Sequence, residues 1–137
     1  YLTGYTQKGN MVKIKEAMTA VAMTARVFMG AERSDRYLIG GAGNLKGNLP
    51  AWNDAGGVDY YYWYYGTLAM YQMGGDFWTS WNDRMKDALV NRQERQGCLD
   101  GSWPCADEWS KTGGRVYTTA INVLSLEIYY RYAKVFK

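Results

Sequence analysis

The hydrophobic pattern has its centre between Val58 and Gly75, VDYYYWYYGTLAMYQMGG, where no charge stands between Asp59 and Asp76. A segment that is apolar on every side has to be enclosed by protein, because a surface helix keeps one polar face. Its length and its Tyr, Gln and Gly content do not suit a membrane span. The pattern predicts a buried helix from Asp59 to about Met73. Asp59 stands at its positive end, and Gly74 and Gly75 break it.

The rest of the chain alternates around this segment. The opening YLTGYTQKG has turn residues and no period, and reads as a lead-in. Met11–Met29 predicts a helix with Asn10 as its N-cap and Gly30 as its stop. It carries two apolar stripes: Ile14, Ala17, Met18, Val21, Ala25 and Phe28, and opposite them Val12, Ala20, Met23 and Val27. Most of this helix should therefore be enclosed. Ser34 and Asp35 then cap a weaker, amphipathic helix to about Lys46, with Leu38, Ala42, Leu45 and Leu49 at helical spacing. Its glycines, Gly40, Gly41, Gly43 and Gly47, lower propensity but allow a neighbour to approach closely. Asp76–Gln93 is amphipathic again, with Phe77, Trp78, Trp81, Met85, Ala88 and Leu89 on the buried side. A long loop follows from Glu94 to Gly114, of a length that is usually functional or pinned by its own contacts. Its expected anchors are Trp103, Trp109 and the pair Cys98 and Cys105. The last helix, Val116–Tyr132, is apolar nearly all round, with Glu127 its one charge before Arg131.

The order is buried, amphipathic, buried, amphipathic, buried. Antiparallel helix hairpins stacked in two layers produce that alternation, so the expected fold is all-α, one domain across residues 1–137 with about five helices.

Composition narrows the chemistry. Hydrophobic residues at 47% and charged residues at 21% describe a globular chain. The 13 Tyr and 6 Trp suit cores, carbohydrate platforms and interfaces alike. A net charge of +3, with bases scattered among acids, gives no ground for nucleic acid. The absence of histidine removes His-based zinc sites, Ser-His and Cys-His nucleophiles and imidazole acid–base catalysis. The chain opens on Tyr1 rather than Met, which suggests a processed product or a piece of a longer protein. Cys98 and Cys105 are either a small-loop disulfide, which implies an extracytoplasmic setting, or two free thiols.

Three stretches, DYYYWYYGTLAMYQMGGDFWTSWN, then DGSW, then GGRVYTTAINVLSLEIYYRY, resemble the prenyltransferase and squalene-oxidase repeat domains of bacteria, especially the planctomycete type. Arg84 to Trp103 is similar to a degraded QW repeat of the triterpene cyclases, with Leu89 and Gln93 in place and a longer gap to Gly101 and Trp103. The resemblance covers roughly Met11 to Tyr132 and implies an α/α-toroid fold, here a partial one, because a complete ring needs many more helices. The family's catalytic devices are missing. There is no Asp-x-Asp-Asp run, no zinc set of Asp, Cys and His, and no Cys-Gly-Glu-Gln thioester. The resemblance with these departures implies a non-catalytic binding or assembly module, with protein partners or self-association and no cofactor. The alternative is a cyclase-like or lyase-like enzyme acting through buried carboxylates and tyrosines.

The candidate residues each have a structural alternative. Glu127 on its apolar helix is either a general acid or base with raised pKa, or an ion pair with Arg131 or Arg115. Asp59 either lines a pocket or caps its helix. Tyr61, Trp63 and Tyr64 are a sugar-stacking or isoprenoid wall, or core. At most half of the series 60–65 can face one pocket, since adjacent helical residues diverge. Trp103 completes the candidate ligand set with Arg115, which with the Gly113–Arg115 backbone would hold an anion or simply joins loop to helix. Asp100, Asp107 and Glu108, and Asn53 with Asp54, are oxygen-rich but match no calcium-loop spacing, so no metal is expected.

Overall fold

The structure, a computed structural model, describes residues 2–7, 10–53 and 56–136. Its body is helical, as expected: α1 Glu16–Phe28, α2 Arg36–Gly47, α3 Tyr60–Met73, α4 Gly75–Val90, α5 Ser110–Leu126 and the single turn α6 Ile128–Arg131. A short hairpin of β1 (Gly4–Gln7) and β2 (Asn10–Ile14) precedes them.

That hairpin corrects the N-terminal boundary. The predicted helix from Met11 starts only at Glu16, and Lys15 is extended and bears no side-chain cap, so Asn10 does not cap it. The strands pair antiparallel, Gly4 with Ile14 and Gln7 with Asn10, with an irregularity between Tyr5 and Thr6. Val12 and Ile14 are β-branched and favour the extended chain. A strand partner in Tyr5–Thr6 outweighed the helical spacing that runs through them.

α3 lies at the centre and contacts α1, α2, α4, α5 and α6. α1, α3 and α5 adjoin in that order, with α3 in the middle, while α2 and α4 touch each other and both pack on α3. Ten of α3's fourteen residues are buried, from every side of the helix. Gly66 lets the fully buried Trp81 of α4 lie directly on α3. A Cβ there would stand 2.3 Å from two indole carbons. The Trp81 indole N–H donates to Thr67 Oγ1 at 2.9 Å, and Thr67 donates on to Trp63 O at 2.6 Å. Gly41 plays the expected close-approach role between α2 and α1, its missing Cβ leaving room for Met23 Sδ. Gly43 and Gly47 face open space. Leu38, Ala42 and Leu45 are buried as their spacing predicts, and Asp35 caps α2 through Tyr37 and Leu38.

The two outer members of the first row are less enclosed than their sequences suggest. In α1 Ala17, Thr19, Ala20, Met23 and Val27 are buried, and Ala25, Phe28 and Met29 face solvent. In α5 and α6 Val116, Val123 and Tyr130 face outward. The physical reason is position: a helix at the end of a row has a neighbour on one side only.

The long loop lies earlier than its sequence suggested, because α4 stops at Val90 rather than Gln93 and α5 begins already at Ser110, bending at Gly114 where φ is +64°. Trp103 is its anchor: 1% exposed, it donates from its indole to Leu89 O at 2.8 Å, and its carbonyl accepts from Thr118. Trp109, by contrast, is half exposed. Cys98 and Cys105 are free and exposed, so the disulfide alternative is not realised.

Candidate functional site

The N-terminal end of α3 is where the ionisable and hydroxyl groups gather. Asp59 caps the helix through Oδ1, which accepts the Tyr62 N–H at 2.8 Å. It also lines an open cleft of about 540 Å³, together with Lys15, Glu16, Trp63, Glu108 and Trp109, a volume in the range of small-molecule sites. Lys15 and Glu108 pair across it at 3.6 Å. Burial raises the Asp59 pKa above its ordinary 3.8, and the carboxylates of Asp107 and Glu108 push the same way, against the cap hydrogen bond and Lys15.

Behind the cleft, the turn before α5 carries Asp107, which is buried. Its Oδ1 accepts the Ser110 N–H at 2.8 Å, capping the first turn of α5. Its Oδ2 is buried with no hydrogen-bond partner, as is the Tyr117 hydroxyl on α5. The Tyr60 hydroxyl donates to Pro104 O at 3.0 Å. Burial pushes the Tyr60 phenol up, as does the Asp107 charge, against a hydrogen bond from the Asn122 amide. Tyr117 is raised by burial first and then by Asp107 and Asp59. Tyr60 is thus near Asp107 and Asn122, and Tyr117 near Asp107 and Asp59.

The other predicted residues divide. Glu127 is a surface ion pair, 3.4 Å from Arg131, with both side chains about half exposed. The expectation of a buried acid there fails because α5 presents that side to water. Arg115 is engaged by Ser102 Oγ at 3.1 Å and Glu94 at 3.8 Å, which fastens the loop rather than framing an anion. Trp103 is core. Of the aromatic series, Trp63 packs on Tyr60 and Trp52, Tyr62 on Trp81, and Tyr61 on Tyr65 and Trp109. Tyr64 meets Tyr65 and comes within 3.5 Å of the Tyr132 hydroxyl. Its own phenol is pushed up to about 12, chiefly by burial. The series therefore splits among separate surroundings, as helical geometry requires, and only Trp63 and Tyr62 border the cleft.

Sequence reasoning did not single out Tyr117, Asn122 or Lys15. The available signal was Asn122 itself, an amide within the apolar run Ala120–Leu126. Among the described residues no three Asp, Glu, Cys or His side chains are grouped to hold a metal, and Asp54 lies outside them. No helix among them is long and apolar enough to cross a membrane. No protein-family model matches the sequence, and no curated protein or solved structure matches it either.

Proposed function

We propose that this chain is a binding and assembly module on a prenyltransferase/squalene-oxidase-repeat type of α/α fold, joined to its partner through the outer face of α5 and α6. The observation that carries the reading is a conflict between composition and exposure. Val116, Val123 and Tyr130 recur every seven residues along α5 and the turn α6, a stretch whose sequence is apolar almost all round, yet they are 84%, 38% and 90% exposed. A seven-residue apolar repeat is the spacing that keeps one helix face against another. Among the described residues the main neighbours of α5 are α3 and α6, and this stripe faces away from both.

The stripe is symmetric about Val123, and a second copy running antiparallel would set Val123 on Val123 and Val116 on Tyr130, as a two-fold interface demands. Support for the fold reading comes from the residues of the degraded repeat. Gln93 donates to Gly101 O at 2.9 Å and the Trp103 indole to Leu89 O, so its four positions are joined across the lengthened gap.

The test is light scattering on the purified chain and on Val123→Glu. Wild type is expected to self-associate and the variant to be monomeric with an unchanged circular dichroism spectrum. A wild type that stays monomeric across concentrations removes the self-association on which the reading rests.

A second reading, an enzyme acting on an isoprenoid or polysaccharide, is favoured by the raised pKa of Asp59 in an open cleft. It predicts turnover that disappears in Asp59→Asn. Glu127, its other candidate acid, is half exposed and paired with Arg131.

A further inference from the structure

The central helix α3 carries a single amide side chain, Gln72, and it is buried, 3% exposed. Its hydrogen bonds leave the helix bundle altogether. Nε2 donates to Ala133 O at 3.0 Å, and Oε1 accepts the Val135 N–H at 2.7 Å. A carbonyl can only accept and an N–H can only donate, so these two partners fix which way the amide is turned.

Both bonds end on the main chain of the segment 133–136, which follows α6 and has neither helix nor strand. Among the described residues they are the only hydrogen bonds that segment makes. One amide that donates to a carbonyl and accepts from the N–H two residues on offers what the peptide group of a neighbouring strand offers. It recognises backbone and is indifferent to the side chains that the backbone carries.

Side chains of the segment find two further seats. The Lys134 ammonium stands 5.4 Å from the centroid of the Tyr71 ring, within the range of a cation–π contact. Tyr71 is itself held edge-on by Trp78 at 5.2 Å and Tyr129 at 6.3 Å. Phe136 packs against the hydrophobic core. Main-chain bonds flanked by side-chain seats are the means by which proteins take up an added extended peptide.

The hold on the segment is light. It hangs from the single turn α6 through Tyr132, which is extended at φ −121° and ψ 126°, and Ala133, Lys134 and Val135 are exposed. A segment with few buried contacts opens locally without unfolding the rest. Opening leaves both polar atoms of the Gln72 amide without partners, and a buried amide in that state favours any chain that restores them.

We propose that Gln72 and Tyr71 form a docking site for an extended peptide segment of a protein partner, one with a lysine two residues before an aromatic side chain. Residues 133–136 occupy that site as a displaceable stand-in, and they supply the template for what it accepts. The site owes nothing to the α5 outer face and stands or falls separately from self-association. A tethered occupant competes at an effective concentration of about 1 mM, so a free peptide binds the intact chain only weakly.

The experiment follows the fluorescence anisotropy of a labelled synthetic peptide, Ala-Lys-Val-Phe, added to the whole chain. It is compared with the double variant Val135→Pro, Phe136→Ser, which removes the N–H that Gln72 accepts and the ring that seats on the core. The variant is expected to bind the peptide about tenfold more tightly than wild type or better, with an unchanged circular dichroism spectrum. Adding Gln72→Leu should weaken that binding about tenfold. The peptide Ala-Lys-Pro-Phe, which lacks the same N–H, should bind as weakly, and it makes the test where the Gln72→Leu chain does not fold. If the double variant does not fold, Val135→Pro alone takes its place. Absence of saturable binding to the folded variant below about 1 mM overturns the proposal. So does equal binding by wild type, or by the proline peptide.

Discussion

Gly66 shows how one missing carbon organises the centre of the molecule. Alanine in place of glycine within a helix ordinarily gains about 1 kcal/mol. Here the added Cβ would stand 2.3 Å from two carbons of the Trp81 indole, a side chain that is fully buried and held by Thr67. Overpacking of a closed core costs about 1–3 kcal/mol even after adjustment, so the clash wins. Gly66→Ala should lower stability by about that amount in urea unfolding, and an equal or higher midpoint would contradict the packing. Asp59 gives a pH-dependent counterpart. Its pKa is raised, so the folded chain holds the proton more tightly than the unfolded chain. Stability from this group is therefore lost as pH rises from 3.8 through the folded value, and the whole penalty is present above that value. Asp59→Asn keeps a capping side chain and removes the titration. Relative to wild type the variant should gain stability as pH rises above 3.8, levelling off above the folded value, and a difference that does not change with pH would show that Asp59 is not desolvated.

Among the elements, α3 was legible because its signal is local: fourteen residues without a charge need enclosure whatever surrounds them. α2 and α4 were legible for the opposite reason, since their polar faces mark which side meets water. The start of α1 was not, because Met11–Ile14 suits helix and strand about equally and the choice came from pairing with Gly4–Gln7. The loop between α4 and α5 is held by Trp103, by the Tyr60–Pro104 bond and by paired backbone bonds between Glu94 and residues 101 and 102. It has no need of a disulfide. With both thiols free and exposed, the thermal midpoint should be the same with and without reductant, and Cys98→Ser or Cys105→Ser should shift stability by no more than about 0.5 kcal/mol. A midpoint that drops on reduction would restore the bridge.

At the scale of the whole molecule, the row α1, α3, α5 has a covered centre and bare ends, and the end on α5 exposes Val116, Val123 and Tyr130. If that end is closed by a second copy, folding and association are linked, and the thermal midpoint should rise with protein concentration. A midpoint independent of concentration, measured over the range used for light scattering, would place the α5 face outside any self-association. The periodicity and the missing charges settled by themselves that the chain is helical, that α3 is enclosed, and which side of α2 and α4 faces inward. Those are properties of residues close in sequence, and any compact arrangement has to respect them. Only the tertiary structure decided that Glu127 sits in water and that the stripe at 116, 123 and 130 is open, because burial of an apolar position depends on whether a neighbour exists on that side. It also decided that Tyr60 lies near Asp107 and Asn122 and Tyr117 near Asp59, residues about fifty to sixty positions apart, whose meeting follows from how α5 docks on α3 and from no local pattern.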